Sequence, residues 1–121
     1  MNDLFPQELK EANRYQTQKK RLSKIVAKHQ LENYSDELIE LIKQRLRKTG
    51  PTNMLGVWWS LEELLGKDGL NNIQADVTNI LVLGSMCGVF WRHDWSDDWT
   101  FGIRGEQSKK EYLDSVKGKP E

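Results

Sequence analysis

The side chains of this 121-residue chain with types suited to covalent or metal chemistry are few and scattered. There is one cysteine, Cys87, and two histidines, His29 and His93. A lone cysteine makes no internal disulfide and finds no cysteine partner for zinc, which points to a reducing compartment. Cys87 sits near the end of an apolar periodic run, where a quiet core residue is expected rather than a nucleophile. His29 continues another apolar stripe and reads as a packed or capping histidine. His93 precedes Asp94, Asp97 and Asp98, but a calcium loop needs alternating ligands, a glycine and a distal acid, so this segment reads as a solvated turn and no metal site is expected. No serine, histidine and acid grouping stands out, and no glycine loop has the phosphate-binding form. The expectation is a binding protein, not an enzyme, with no cofactor.

Aromatic and charged side chains offer binding chemistry instead. Five tryptophans lie between Trp58 and Trp99. Trp59 and Trp91 are expected in the core. Trp95 and Trp99, beside Asp97 and Asp98, are candidates for an exposed protein-contact site, because aromatics at surface turns anchor interfaces. Eighteen basic residues balance eighteen acidic ones, yet residues 1–50 carry eleven Lys or Arg against seven Asp or Glu, and residues 51–121 carry seven against eleven. Neutrality thus conceals a dipole. Lys19, Lys20, Arg21, Lys24 and Lys28 form the densest basic cluster, an electrostatic footprint for an acidic partner; Lys43, Arg45, Arg47 and Lys48 form a second.

A chain of this length supports one domain and excludes a multidomain enzyme. No uncharged apolar run approaches the roughly 20 residues that span a bilayer, and Met1–Lys10 lacks a signal-peptide core, so a cytoplasmic location with no membrane partner is expected. Pro6 to about Gln30 contains no glycine, and Leu22, Ile25, Val26 and His29 recur at helical spacing. Its thinner N-terminal stripe of Leu9, Ala12 and Tyr15 suggests an arm over residues 1–34 that forms a homodimer through residues 8–30. Ser35 caps a second helix whose buried side is Leu38, Ile39, Leu41, Ile42 and Leu46, stopped by Gly50-Pro51. Leu55–Trp59 reads as a short strand. Ser60-Leu61-Glu62-Glu63 has the form of a capping box for a short helix ending at Gly66. A turn over Gly66–Gly69, with two glycines tolerant of positive φ, leads to a helix capped by Asn71. That helix places Leu70, Ile73, Val77, Ile80, Leu81, Gly84 and Cys87 on one side. Asn71, Gln74, Ala75, Thr78, Asn79 and Val82 lie on the other, with no Lys or Glu among them. Val89–His93 and Trp99–Ile103 then read as a hairpin. The domain body spans residues 35–116 and residues 117–121 read as a disordered tail.

From Ser35 to Arg104 this order of elements resembles the winged-helix variant of the helix-turn-helix. The matching segments are Leu38–Leu46, Leu55–Trp59, Ser60–Gly66, the recognition-helix position at Asn71–Met86, and Gly88–Arg92 with Trp99–Arg104 as the wing. The resemblance implies an α+β fold, an N-terminal helical arm followed by a winged helix-turn-helix, and double-stranded DNA as partner. It also implies that Asn71, Gln74, Thr78 and Asn79 meet base edges. Arg92, His93 and Arg104 on the wing, with Lys43, Arg47 and Lys48, would take phosphates. The chain departs from strong DNA binders in lacking Arg or Lys at the recognition position, in Asp76 on its flank, in the acids Asp94, Asp97 and Asp98 of its wing turn, and in a pI near 6.7. Those departures keep open a second expectation, a small inhibitor or adaptor that engages a partner protein through Trp95, Trp99, Asp97 and Asp98.

Overall fold

A computed structural model describes residues 6–95 and 98–117, with side-chain surroundings from residue 14 to 94 and from 98 to 116. Within it the chain is α+β. Helix α1 spans Pro6–Leu31, α2 Asp36–Thr49, β1 Thr52–Asn53, α3 Met54–Cys87, β2 Phe90–Trp95, β3 Asp98–Ile103 and α4 Lys109–Lys117. The three strands form an antiparallel sheet in the order β1-β3-β2. Helices pack on it through one cluster: Leu31 from α1, Ile42 and Leu46 from α2, Val57, Leu61, Leu70, Val77, Ile80 and Leu81 from α3, and Phe90, Phe101 and Ile103 from the sheet.

The second helix forms as its sequence predicts. Ser35 Oγ accepts a hydrogen bond from Leu38 N at 3.1 Å, Asp36 and Glu37 occupy the first turn where the helix dipole favours acids, and Gly50 closes the far end. Ile42 and Leu46, one turn apart, are its fully buried pair.

The third helix departs from expectation. Leu55–Trp59 is helical, not a strand, and β1 is the preceding Thr52–Asn53. Asn53 starts the helix by accepting from Gly56 N at 2.9 Å, so Ser60 is no cap; its hydroxyl lies within the helix and accepts from Arg45 Nε at 2.6 Å. A short run with Val57, Trp58 and Trp59 has strand-prone residue types, but Val57 and Leu61 are buried four residues apart, the helical period that packing rewards. Trp59 falls on the opposite side and is 65% exposed, which corrects its expected core position; Trp91, 5% exposed, is in the core.

The helix bends once, at Gly66, whose φ of 74° and ψ of 173° lie in a region open essentially to glycine. Helical geometry resumes directly after it. The expected turn over Gly66–Gly69 and the cap at Asn71 are therefore replaced by a one-residue corner, with Gly69 and Asn71 both helical. The expected core side of the second half is borne out, with Leu70, Val77, Ile80, Leu81 and Gly84 buried and Ile73 and Cys87 half-buried. Gly88 ends it in the left-handed conformation, its N–H donating to Gly84 O at 3.0 Å.

The hairpin forms in the expected place but with longer strands, Trp95 pairing with Asp98. Asp97 lies outside the described residues, as do residues 118–121 of the expected tail, whose first residue, Lys117, ends α4. That last helix was not expected, although Ser108-Lys109-Lys110-Glu111 is a capping sequence and Glu111 N donates to Ser108 Oγ at 3.0 Å. The helix lies over the outer face of the hairpin, where Tyr112 meets Trp91 with ring centroids 5.5 Å apart.

In α1 the expected stripe is present but uncovered. Ala27 and Leu31 are buried while Leu22, Ile25 and Val26 stay at least half exposed. His29 is exposed 3.6 Å from Glu32, not packed. Among the described residues no helix is long and apolar enough to cross a membrane.

Candidate functional site

One surface carries the uncharged face of α3. Asn71 and Gln74, three residues apart, are exposed with Ala75, and Thr78, Val82 and Ser85 continue the same line half-buried toward the end of the helix. Two of the expected base-reading side chains are already engaged. Thr78 Oγ1 donates to Gln74 O at 3.0 Å, and Asn79 Nδ2 donates to Tyr34 Oη at 3.1 Å, tying α3 to the segment between α1 and α2. Asn71 and Gln74 make no side-chain hydrogen bond among the described residues, so their amides are presented outward.

The uncharged line runs into a cationic pocket. Ser85 and Met86 at the end of α3, Trp91 and Arg92 on the free edge of β2, Arg104 just past β3 and Lys109 at the start of α4 line it together. Three cations from three elements thus converge. The floor is fixed, because Trp91 Nε1 donates to Gln107 O at 2.7 Å and so anchors the turn that delivers Lys109. Arg104 and Lys109 are exposed and pair with no acid among the described residues. Arg92 is more restrained, with Nε 3.1 Å from Asp94 Oδ1 and its guanidinium 4.3 Å above the centre of the Trp99 ring.

Sequence reasoning had named Arg92 and Arg104 but missed Lys109. The signal was the basic pair Lys109-Lys110 directly behind the capping serine. His93 lies on the face of β2 opposite to that of Arg92, the face of Trp91, and pairs with Thr100 on β3.

The basic residues of α2 do not join the pocket. Arg47 is held between Glu40 Oε1 at 3.0 Å and Glu106 Oε1 at 2.8 Å, which raises its already high pKa. Lys48 lies 3.5 Å from Glu63 Oε1. Lys43 is half-buried on α2. Their acids offset the charge that phosphate contacts would need.

The aromatic candidate site divides in two. Trp99 is 41% exposed, with Arg92 against its ring. Asp98 serves the fold, its Oδ2 accepting from Asn53 Nδ2 at 2.7 Å and its Oδ1 from Trp99 N at 2.9 Å, which latches β1 to the hairpin. Trp95 ends β2 opposite Asp98. No family model, curated protein or solved structure matches the chain.

Proposed function

We propose that this chain binds double-stranded DNA as a regulatory protein, not as an enzyme, presenting the uncharged face of α3 to base edges and the pocket of Arg92, Arg104 and Lys109 to phosphates. The observation that carries this reading is the convergence of those three cations at the end of a helix face that bears no charge from Asn71 through Ser85. Phosphate contacts supply affinity and register, while amide side chains such as Asn71 and Gln74 suit adenine in the major groove. The order α2, β1, α3 and the β2–β3 hairpin supports the winged-helix reading, while a one-residue corner at Gly66 stands where a helix-turn-helix has its turn. Self-association through α1 belongs to the same reading.

The test is fluorescence anisotropy of a random-sequence duplex across a salt series. Affinity is expected to fall steeply with salt, and Arg104→Ala with Lys109→Ala to lower the slope of log K against log salt by about two, near one per phosphate contact removed. Binding that is absent at low salt, or indifferent to both substitutions, overturns the reading.

A second reading rests on Trp99. Its exposed ring, stiffened by Arg92, suits an anchor for a partner protein. In that case Trp99→Ala abolishes capture of the partner while Asn71→Ala and Gln74→Ala leave it unchanged.

A further inference from the structure

We propose that α1, where it runs on beyond its buried residues, is a second phosphate-contact surface for the duplex, formed by Lys20 and Lys24 with Arg21 beside them. The proposal rests on the DNA reading above and adds a contact site to it. Positions 20, 24, 27 and 31 share one line along the helix, at steps of four, three and four. Ala27 and Leu31, the C-terminal pair of that line, are buried, while Lys20, Arg21 and Lys24 are exposed. The side of α1 that packs on the protein therefore continues as lysine, about 5 and 10 Å beyond Ala27 at 1.5 Å per residue. An ammonium row is unsuited to burial against a protein core and suited to a partner that carries negative charge.

The course of α1 sets these cations beside the rest of the interface. Read backwards, the chain passes from Tyr34, whose hydroxyl accepts from Asn79 Nδ2, to Leu31 and Lys28, which share a cavity with Cys87 and Val89. It is thus heading for the end of α3, and its continuation carries Lys24 and Lys20 past that end, where the pocket of Arg92, Arg104 and Lys109 opens beside Ser85 and Met86. The charge there is uncompensated. Residues 14–31 contain six Lys or Arg and no Asp or Glu, and among the described residues Lys20, Arg21 and Lys24 form no ion pair. Lys20 and Lys24 are four residues apart and Arg21 and Lys24 three, spacings at which like charges repel on a helix. In α2, by contrast, Arg45, Arg47 and Lys48 each lie within 3.6 Å of a glutamate. A row of phosphates relieves in α1 the repulsion that the chain's own acids relieve in α2.

The test is the duplex salt series, run on the full chain. Lys20→Gln with Lys24→Gln is expected to lower the slope of log K against log salt by about two, near one per phosphate contact removed, with an unchanged circular dichroism spectrum because both side chains are exposed. Lys20→Arg with Lys24→Arg is expected to keep the parent slope. Lys19→Gln, on the flank that forms a groove with Leu22 and Val26, is expected to keep it as well, which separates a contact from a change in net charge. Removing like charges eases self-association, so a lowered slope does not report a lost dimer. A Lys20→Gln, Lys24→Gln chain with the parent slope, while Arg104→Ala and Lys109→Ala still lower it, overturns the α1 contact and leaves the DNA reading standing. A parent that binds no duplex at low salt overturns both. Retention of the parent on phosphatidylserine vesicles that the double variant loses, with duplex slopes alike, assigns the lysines to a lipid surface and overturns the proposal.

Discussion

Asp94 controls how much of the cationic pocket is available. Its Oδ1 lies 3.1 Å from Arg92 Nε, so the carboxylate cancels a charge that phosphate contacts would otherwise use. Asp94→Asn removes the charge and keeps the shape. DNA affinity is expected to rise severalfold and the slope of log K against log salt to steepen by about one, measured by anisotropy. Were Trp99 the centre of a protein interface instead, the same substitution would loosen Arg92 from the ring and weaken partner capture. A second residue-scale dependence lies in the core that carries the pocket. A Cβ on Gly84 would collide with the ring of Phe90, itself fully buried, so Gly84→Ala must displace β2 relative to α3. The expected loss is about 1–3 kcal/mol by urea denaturation, the usual range for overpacking. Ser60→Ala acts through a polar group. It strips the 2.6 Å acceptor from Arg45 Nε, next to an Nη2 that is already buried without a hydrogen bond, and should cost about 1–3 kcal/mol in the same measurement.

At the scale of elements, the corner in α3 decides how the exposed face of Asn71 and Gln74 is held against the core. Gly66 takes φ 74° and ψ 173°, and a side chain there would be strained although no atom lies within 4 Å of the missing Cβ. Gly66→Ala is expected to cost about 1–3 kcal/mol through backbone strain alone, read as a lowered Tm with DNA contacts otherwise intact. A Gly66→Ala protein of unchanged Tm would mean that the corner relaxes. The corner also shows where the sequence is legible and where it is not. Local chemistry was enough for α2, whose serine cap, early acids, paired Ile42 and Leu46 and terminal Gly50 all point the same way. It was enough for the core side of α3 and the site of the hairpin, since both depend on a period that runs unbroken through their residues. It failed over Leu55–Trp59, where five residues fit a strand or a helix and only the distant partners of Val57 and Leu61 choose between them. It failed again at Ser60, whose capping sequence is outcompeted by Asn53 upstream and by Arg45 across the helix pair. Of the candidate site, Asn71, Gln74 and Arg104 were readable because exposure follows from periodicity. The pairing of Arg47 with Glu106, the tether from Asn79 to Tyr34, and the arrival of Lys109 beside Arg92 join residues far apart in the chain, and no local pattern encodes them.

For the whole molecule, DNA binding and self-association through α1 constrain each other. A homodimer through α1 has a twofold axis, and the same axis relates the two α3 faces and the two cationic pockets. Each α1 is 26 residues long, about 39 Å at 1.5 Å per residue, and among its described residues Ala27 and Leu31, near the C-terminal end, are the buried ones. DNA engaged by both bodies must then present its half-sites as an inverted repeat separated by whole helical turns, because a rigid dimer meets the same groove face only at that spacing. Selection from a random duplex library with the full chain is expected to enrich inverted repeats. A Leu22→Glu chain, with a carboxylate set into the exposed α1 stripe and so expected as a monomer, should enrich at most single half-sites and show about half the salt slope on long duplexes. Direct repeats would place the bodies head to tail and contradict the twofold arm. Inverted repeats recovered equally by Leu22→Glu would mean that DNA itself, and not α1, brings two copies together.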